Sequence, residues 1–165
     1  MTRPGELQTF SFENSIDLVW KLDWEIARIL HATPSDIIDM KCFAFNAAVT
    51  AWQLTDWVLD DMTAAQKKSR GISSLDDLQN LVIAECRALH LCRWIATASK
   101  HRIVNNRRHD PTVTTAVRSV PMAGGQPPKW ELIINDGNTE HDASDVFEEA
   151  RMYWWRFLAA LGLIL

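Results

Sequence analysis

The sequence predicts a mainly α protein, an antiparallel helix bundle with a β-hairpin inserted before its last helix, folded as one domain over 1–165. Three observations predict it. Apolar residues recur at three-to-four spacing in three stretches of the first hundred residues, the period of a helix with one buried face. A Thr- and Val-rich segment with glycine and proline turns follows. Helical periodicity then returns to the C-terminal end. The bundle is expected over about 13–109, the hairpin over about 111–141 and the last helix over about 142–162. A chain of 165 residues, 47% apolar with eight Trp and 23% charged, has the composition of a folded protein with a sizeable core.

The first helix is predicted from about Glu13 to His31, with Leu18, Leu22, Ile26 and Ile29 as its inward stripe. Trp20 and Trp24, within or beside apolar stripes, are expected in the core, as is Trp52. The sequence Thr33-Pro34-Ser35-Asp36 stops this helix and starts the next, with Thr33 as cap, Pro34 at the first position and Asp36 closing a capping-box-like pair. The second helix is expected to reach about Met62. Gly71 separates it from a third, which opens at Ser73 or Ser74, carries Asp76 and Asp77 in its first turn and runs to about His101.

From Pro111 the pattern changes. Thr112 to Val120 is almost free of helix formers and reads as a strand, and Met122 to Pro128 holds two glycines and two prolines and reads as a loop. Trp130 to Asn135 is a second strand; Asp136-Gly137 is a tight-turn pair leading to a short third strand near Thr139 to His141. Asp142 or Ser144 caps the last helix, which runs to about Leu161 with Gly162 as its stop.

No apolar run approaches the ~20 residues that span a bilayer, and Met1 to Phe10 lacks the basic-then-apolar order of a signal peptide. A cytoplasmic protein without a membrane partner is therefore expected. Three cysteines, Cys42, Cys86 and Cys92, have no metal-type spacing, and Cys86 and Cys92 fall six residues apart in one helical pattern, where they do not face each other. They read as reduced core thiols. No metal and no cofactor is implied: the chain has no glycine-rich phosphate loop, no nucleophile elbow, no paired-Cys zinc spacing and no HExxH.

Projected at 100° per residue, the second helix carries a core stripe of Met40, Ala47, Ala51, Leu54 and Val58. Asn46, Thr50, Gln53, Asp56 and Asp60 lie opposite, and Trp57 falls within that polar arc. It is either covered by a neighbouring element or serves as a stacking platform. The third helix has Leu78, Val82, Leu89, Cys92 and Ala96 inward, with Arg87, His90, Trp94 and His101 opposite. His90 and His101 share a direction but stand about 16 Å apart, too far for one metal ion.

The sharpest feature is a charge reversal. Lys100, Arg102, Arg107, Arg108 and Arg118 face one acid, Asp110, so this stretch carries +4 in a chain of net charge −4. His101, His109, Asn105 and Asn106 are interleaved, residue types that bind phosphate and move protons.

Two resemblances bear on this region. Arg102 and His109 are two helical turns apart and share a face if the helix continues that far, whereas Asn105, Asn106 and the approach to Pro111 favour an earlier end. The Arg-x6-His spacing resembles that of HEPN-type ribonucleases, although Ile103 stands where those enzymes commonly place a polar residue. The resemblance implies metal-independent RNA cleavage in a bundle cleft usually completed by dimerisation. Arg102 would hold the scissile phosphate and His109 would move the proton, with Lys100 and His101 assisting. More broadly, the segment from Ala44 to Val58 (AFNAAVTAWQLTDWV), Ala98-Ser99-Lys100-His101 and the ending Trp155-Arg156-Phe157-Leu158 with Gly162-Leu163-Ile164 resemble a pattern in uncharacterised bacterial and phage-borne helical proteins. That likeness implies one intact domain and a shared polar site of Asp56, Lys100 and His101.

The leading expectation is a non-catalytic interaction or regulatory module of bacterial or phage origin, its surface built from Asp56, Trp57, Trp94, Lys100, His101, Arg107 and Arg108. Its partner is a protein or RNA, and a homodimer is compatible with either. The alternative is a HEPN-like ribonuclease or toxin-type RNA-processing protein using Arg102 and His109.

Overall fold

The computed structural model describes residues 11–33, 36–100 and 112–164. Helix α1, Ser15–Leu30, starts where the Asn14 side chain accepts from the N–H groups of Ile16 and Asp17, and it buries Leu18, Leu22, Ile26 and Ile29 as expected. The same helix overturns one expectation. Trp20 is 61% and Trp24 56% exposed. Trp20 lies 200° and Trp24 240° around the helix from Leu18, so helical phase turns both away from the stripe that packs on the core.

Helix α2 spans Ile37–Asp61. Its N-cap is Asp36, whose carboxylate accepts from both the backbone N–H (3.2 Å) and the hydroxyl (2.5 Å) of Thr33. The expected first position, Pro34, lies outside the described residues. Ala47, Ala51, Leu54 and Val58 are buried, whereas Cys42, expected in the core, is exposed. A short helix absent from the sequence reading, α3 at Ala64–Ser69, is set by a capping box between Thr63 and Gln66. It ends in a Schellman motif, with Ile72 N–H on the Lys67 carbonyl and Gly71 at φ 67°.

The predicted third helix is two. Helix α4, Leu75–Glu85, starts with a capping box between Ser74 and Asp77, and α5 runs Arg87–Lys100. The residue between them, Cys86, is extended (φ −138°, ψ 107°) and buried. Its N–H still reaches the Val82 carbonyl, while its own carbonyl accepts from Leu89 and His90, so it ends one helix and opens the next. Neither Gly nor Pro marks this break. The Cys86 thiol lies 3.8 Å from a Glu149 oxygen, and burial raises its pKa.

Strands β1 (Val113–Val120), β2 (Lys129–Asp136) and β3 (Thr139–Asp142) form an antiparallel sheet in that order. Val113 pairs with Asp136 and Val120 with Lys129 across β1 and β2. Gly137 takes φ 60° at the first central position of the two-residue β2–β3 turn, where a residue with a Cβ is strained. Helix α6, Ala143–Ala160, is capped by Asp142 and ends in a second Schellman motif at Gly162.

One core joins these elements. Helix α2 packs against α1, α5 and α6, and α6 also packs on α1, β2 and β3. Trp154 of α6 is fully buried and donates its indole N–H to the Ala51 carbonyl of α2 at 2.9 Å. Among the described residues, no helix is long and apolar enough to cross a membrane.

Candidate functional site

The outer face of α5 carries Trp94, one of the predicted site residues, beside His90. Trp94 is half-buried and donates its indole N–H to His90 Nε2 at 3.1 Å, with the two rings edge-on. Between them in sequence is Arg93. Its guanidinium lies 5.3 Å from the Trp94 ring centre and 5.6 Å from that of Trp52 on α2. Among the described residues Arg93 has no carboxylate at ion-pair distance. Trp52 is half-buried here, less than the core position expected of it.

At the start of α5, Arg87 grips Asp136 at the end of β2 with two N–H groups, Nε at 2.7 Å from Oδ2 and the other from a terminal nitrogen to Oδ1. This pair holds Asp136 below the usual carboxylate range, with smaller contributions from His141 and His90. A carboxylate clamped in this way is a fixed charge and a poor base at neutral pH. Arg118, the one described arginine of the basic stretch, is likewise compensated. It binds Glu131 at 3.3 Å and Glu140 at 3.0 Å, so its charge is spent within the sheet.

Of the other predicted site residues, Asp56 and Trp57 are described and do not join this cluster. Asp56 is exposed, with the Thr55 hydroxyl 3.3 Å away, and that hydroxyl accepts from Gln79 of α4. Trp57 is half-buried and packs against the core, which favours the covered reading over a stacking platform. Thr50, placed on the polar arc of α2, is instead buried, because Lys21 of α1 reaches across to its hydroxyl at 2.5 Å. Lys100 closes α5. His101, Arg102, Arg107, Arg108 and His109 lie outside the described residues, and with them the Arg102–His109 geometry and any meeting of Asp56 with His101.

Sequence reasoning missed Arg93. Its neighbour Trp94 was legible, but the second ring comes from α2, and only packing brings it there. A groove of about 280 Å³ between α2, α5 and the sheet is lined by apolar groups such as Phe45, Ile95, Leu132 and Phe147, with Lys41 at its edge, and gathers no titratable cluster. Among the described residues no group of His, Cys, Asp or Glu could hold a metal ion. Compared with known proteins, the chain matches no family model, no curated protein and no solved structure.

Proposed function

We propose that this protein is a non-catalytic interaction or regulatory module whose contact surface is the outer face of α5, and whose partner is a protein presenting a carboxylate. The observation that carries this reading is Arg93, set between Trp52 and Trp94 with no carboxylate of its own among the described residues. A guanidinium whose position is restricted by two rings loses less freedom on binding than one on a mobile stem. Its in-plane N–H fork matches a carboxylate in two-point contact. The other basic groups described near this end, Arg87 and Arg118, already hold acids of this chain, which singles out Arg93. Tryptophan and arginine are also the residue types that dominate binding energy at protein interfaces.

The test is capture from the native host by tagged full-length protein, with and without nuclease treatment, comparing wild type with Arg93→Ala and Arg93→Lys. A partner that survives nuclease and is lost with both variants is the expected result; lysine keeps the charge but not the planar fork. Capture that ignores Arg93, or that depends on RNA, sinks this reading. RNA cleavage by wild type that disappears in His109→Ala would establish the ribonuclease alternative instead.

A further inference from the structure

The exposed face of α1 sets two tryptophans between an acidic and a basic end. Asp17 in the first turn also accepts from the Glu13 N–H at 2.8 Å, and Arg28 lies in the last turn, each suiting the helix dipole. The exposed indoles, by contrast, serve no packing within the chain's core. Glu13, just before the helix, and Asp17, Trp20, Trp24, Arg28 and His31 fall within an arc of about 80°. Glu13, Arg28 and His31 are exposed, Asp17 is half-exposed, and the two indoles are more than half exposed. Read along the helix, the face runs from acid through two tryptophans to base. Trp20 stands edge-on to Trp155 of α6 at 5.4 Å, and Trp24 edge-on to Phe43 of α2 at 5.5 Å, so the aromatic surface widens on both sides. Arg28 lies 5.6 Å from the Trp24 ring centre and 5.3 Å from that of Phe43, which holds the basic end beside the rings.

We infer that this face is the self-association surface of the protein, occupied by α1 of a second copy running antiparallel about a two-fold axis near Leu22. A two-fold interface requires a surface complementary to itself. Reversing α1 about Leu22 sets Trp20 against the second copy's Trp24, and Glu13 against its His31. Asp17 falls within one residue of the second copy's Arg28. Acid meets base at both ends and indole meets indole at the centre. An unrelated apolar partner would need the exposed tryptophans but not this mirrored charge order. The surface is separate from Arg93 on α5, so dimerisation and partner capture are independently testable.

Sedimentation equilibrium of the full chain tests the assignment. Wild type is expected to dimerise reversibly, with an association constant that falls as salt screens the paired ends. Trp20→Ser with Trp24→Ser should weaken association roughly tenfold or more, as removal of central aromatic anchors does. Asp17→Arg and Arg28→Asp should each weaken it, and the two together should restore much of the loss, because the swap rebuilds the pairing. Should the double serine variant fail to fold by circular dichroism, the charge-swap set decides alone. A wild type that stays monomeric up to about the few-hundred-micromolar range, far above the concentrations of typical specific interfaces, overturns the inference. So does a dimer indifferent to all four substitutions.

Discussion

Helices α1 and α6 lie side by side and use the same amino acid in opposite ways. Helix α6 buries Trp154 completely and keeps Glu148 and Arg156 outside. Helix α1 turns Trp20 and Trp24 to solvent and buries Glu25, which is 2% exposed, against Lys21 and Thr50. In α6 the periodic stripe and the residue chemistry agree. In α1 they disagree, and phase wins: Leu18, Leu22, Ile26 and Ile29 already fill the inward face, leaving the indoles nowhere to go but out. A position where local chemistry conflicts with the global pattern is a place to look for function, because nothing in folding alone maintains it.

The largest effect that sharpens this contrast is expected at Trp154. Trp154→Ala removes a fully buried indole and its hydrogen bond to the Ala51 carbonyl, which ties α6 to α2. A loss of about 3–5 kcal/mol in denaturant melts is expected. A loss below about 1 kcal/mol would make the buried and exposed tryptophans equivalent and break the comparison.

Trp52 should fall between the extremes. It is half-buried and shares the Arg93 guanidinium with Trp94. Trp52→Ala is expected to cost roughly 1.5–3 kcal/mol, part of a full core truncation plus a lost cation–π contact. A double-mutant cycle with Arg93→Ala isolates that contact. A coupling energy indistinguishable from zero would show that the ring does not hold the guanidinium.

Much of the fold was legible before any coordinates. The stripe of α1, most of that of α2, the three strands and the bounds of α6 follow from period and turn chemistry, and the structure has each of them. The β2–β3 turn is centred on Gly137 and Asn138, one residue beyond the expected Asp136-Gly137 pair. Legible but overlooked was α3, for Thr63 and Gln66 have capping-box spacing. The break at Cys86 was not legible, because no helix breaker stands there. The candidate site divides in the same way. Trp94 and His90 are four residues apart and could be read from one helix, and so could Trp24 and Arg28. The Trp52–Arg93 contact joins residues 41 apart in sequence and exists only once α2 and α5 pack.

The smallest effect concerns the buried side of the α1 inversion. Glu25 Oε1 accepts from Lys21, but Oε2 is buried without a hydrogen-bond partner. Burial is the main influence on this carboxyl and raises its pKa, with Lys21 and Thr50 opposing. A carboxyl whose folded pKa lies above its unfolded value of 4.5 binds its proton more tightly in the native state. Its contribution therefore favours folding at low pH and is lost as pH rises from about 4.5 through the folded pKa, then stays level. Glu25→Gln keeps the shape and removes the titration, and Lys21 retains its bond to Thr50. The stability of the variant minus that of wild type should accordingly increase with pH across that window and then flatten. The gain should stay below the ~1–3 kcal/mol cost of an unsatisfied buried polar group, since the glutamine amide faces a cation where the carboxylate faced a partner. Urea melts of both proteins from pH 4 to about pH 8 read this difference directly, spanning the carboxyl range and neutrality. A difference that falls with pH would mean that Lys21 overcompensates for burial, and that α1 buries Glu25 at no cost.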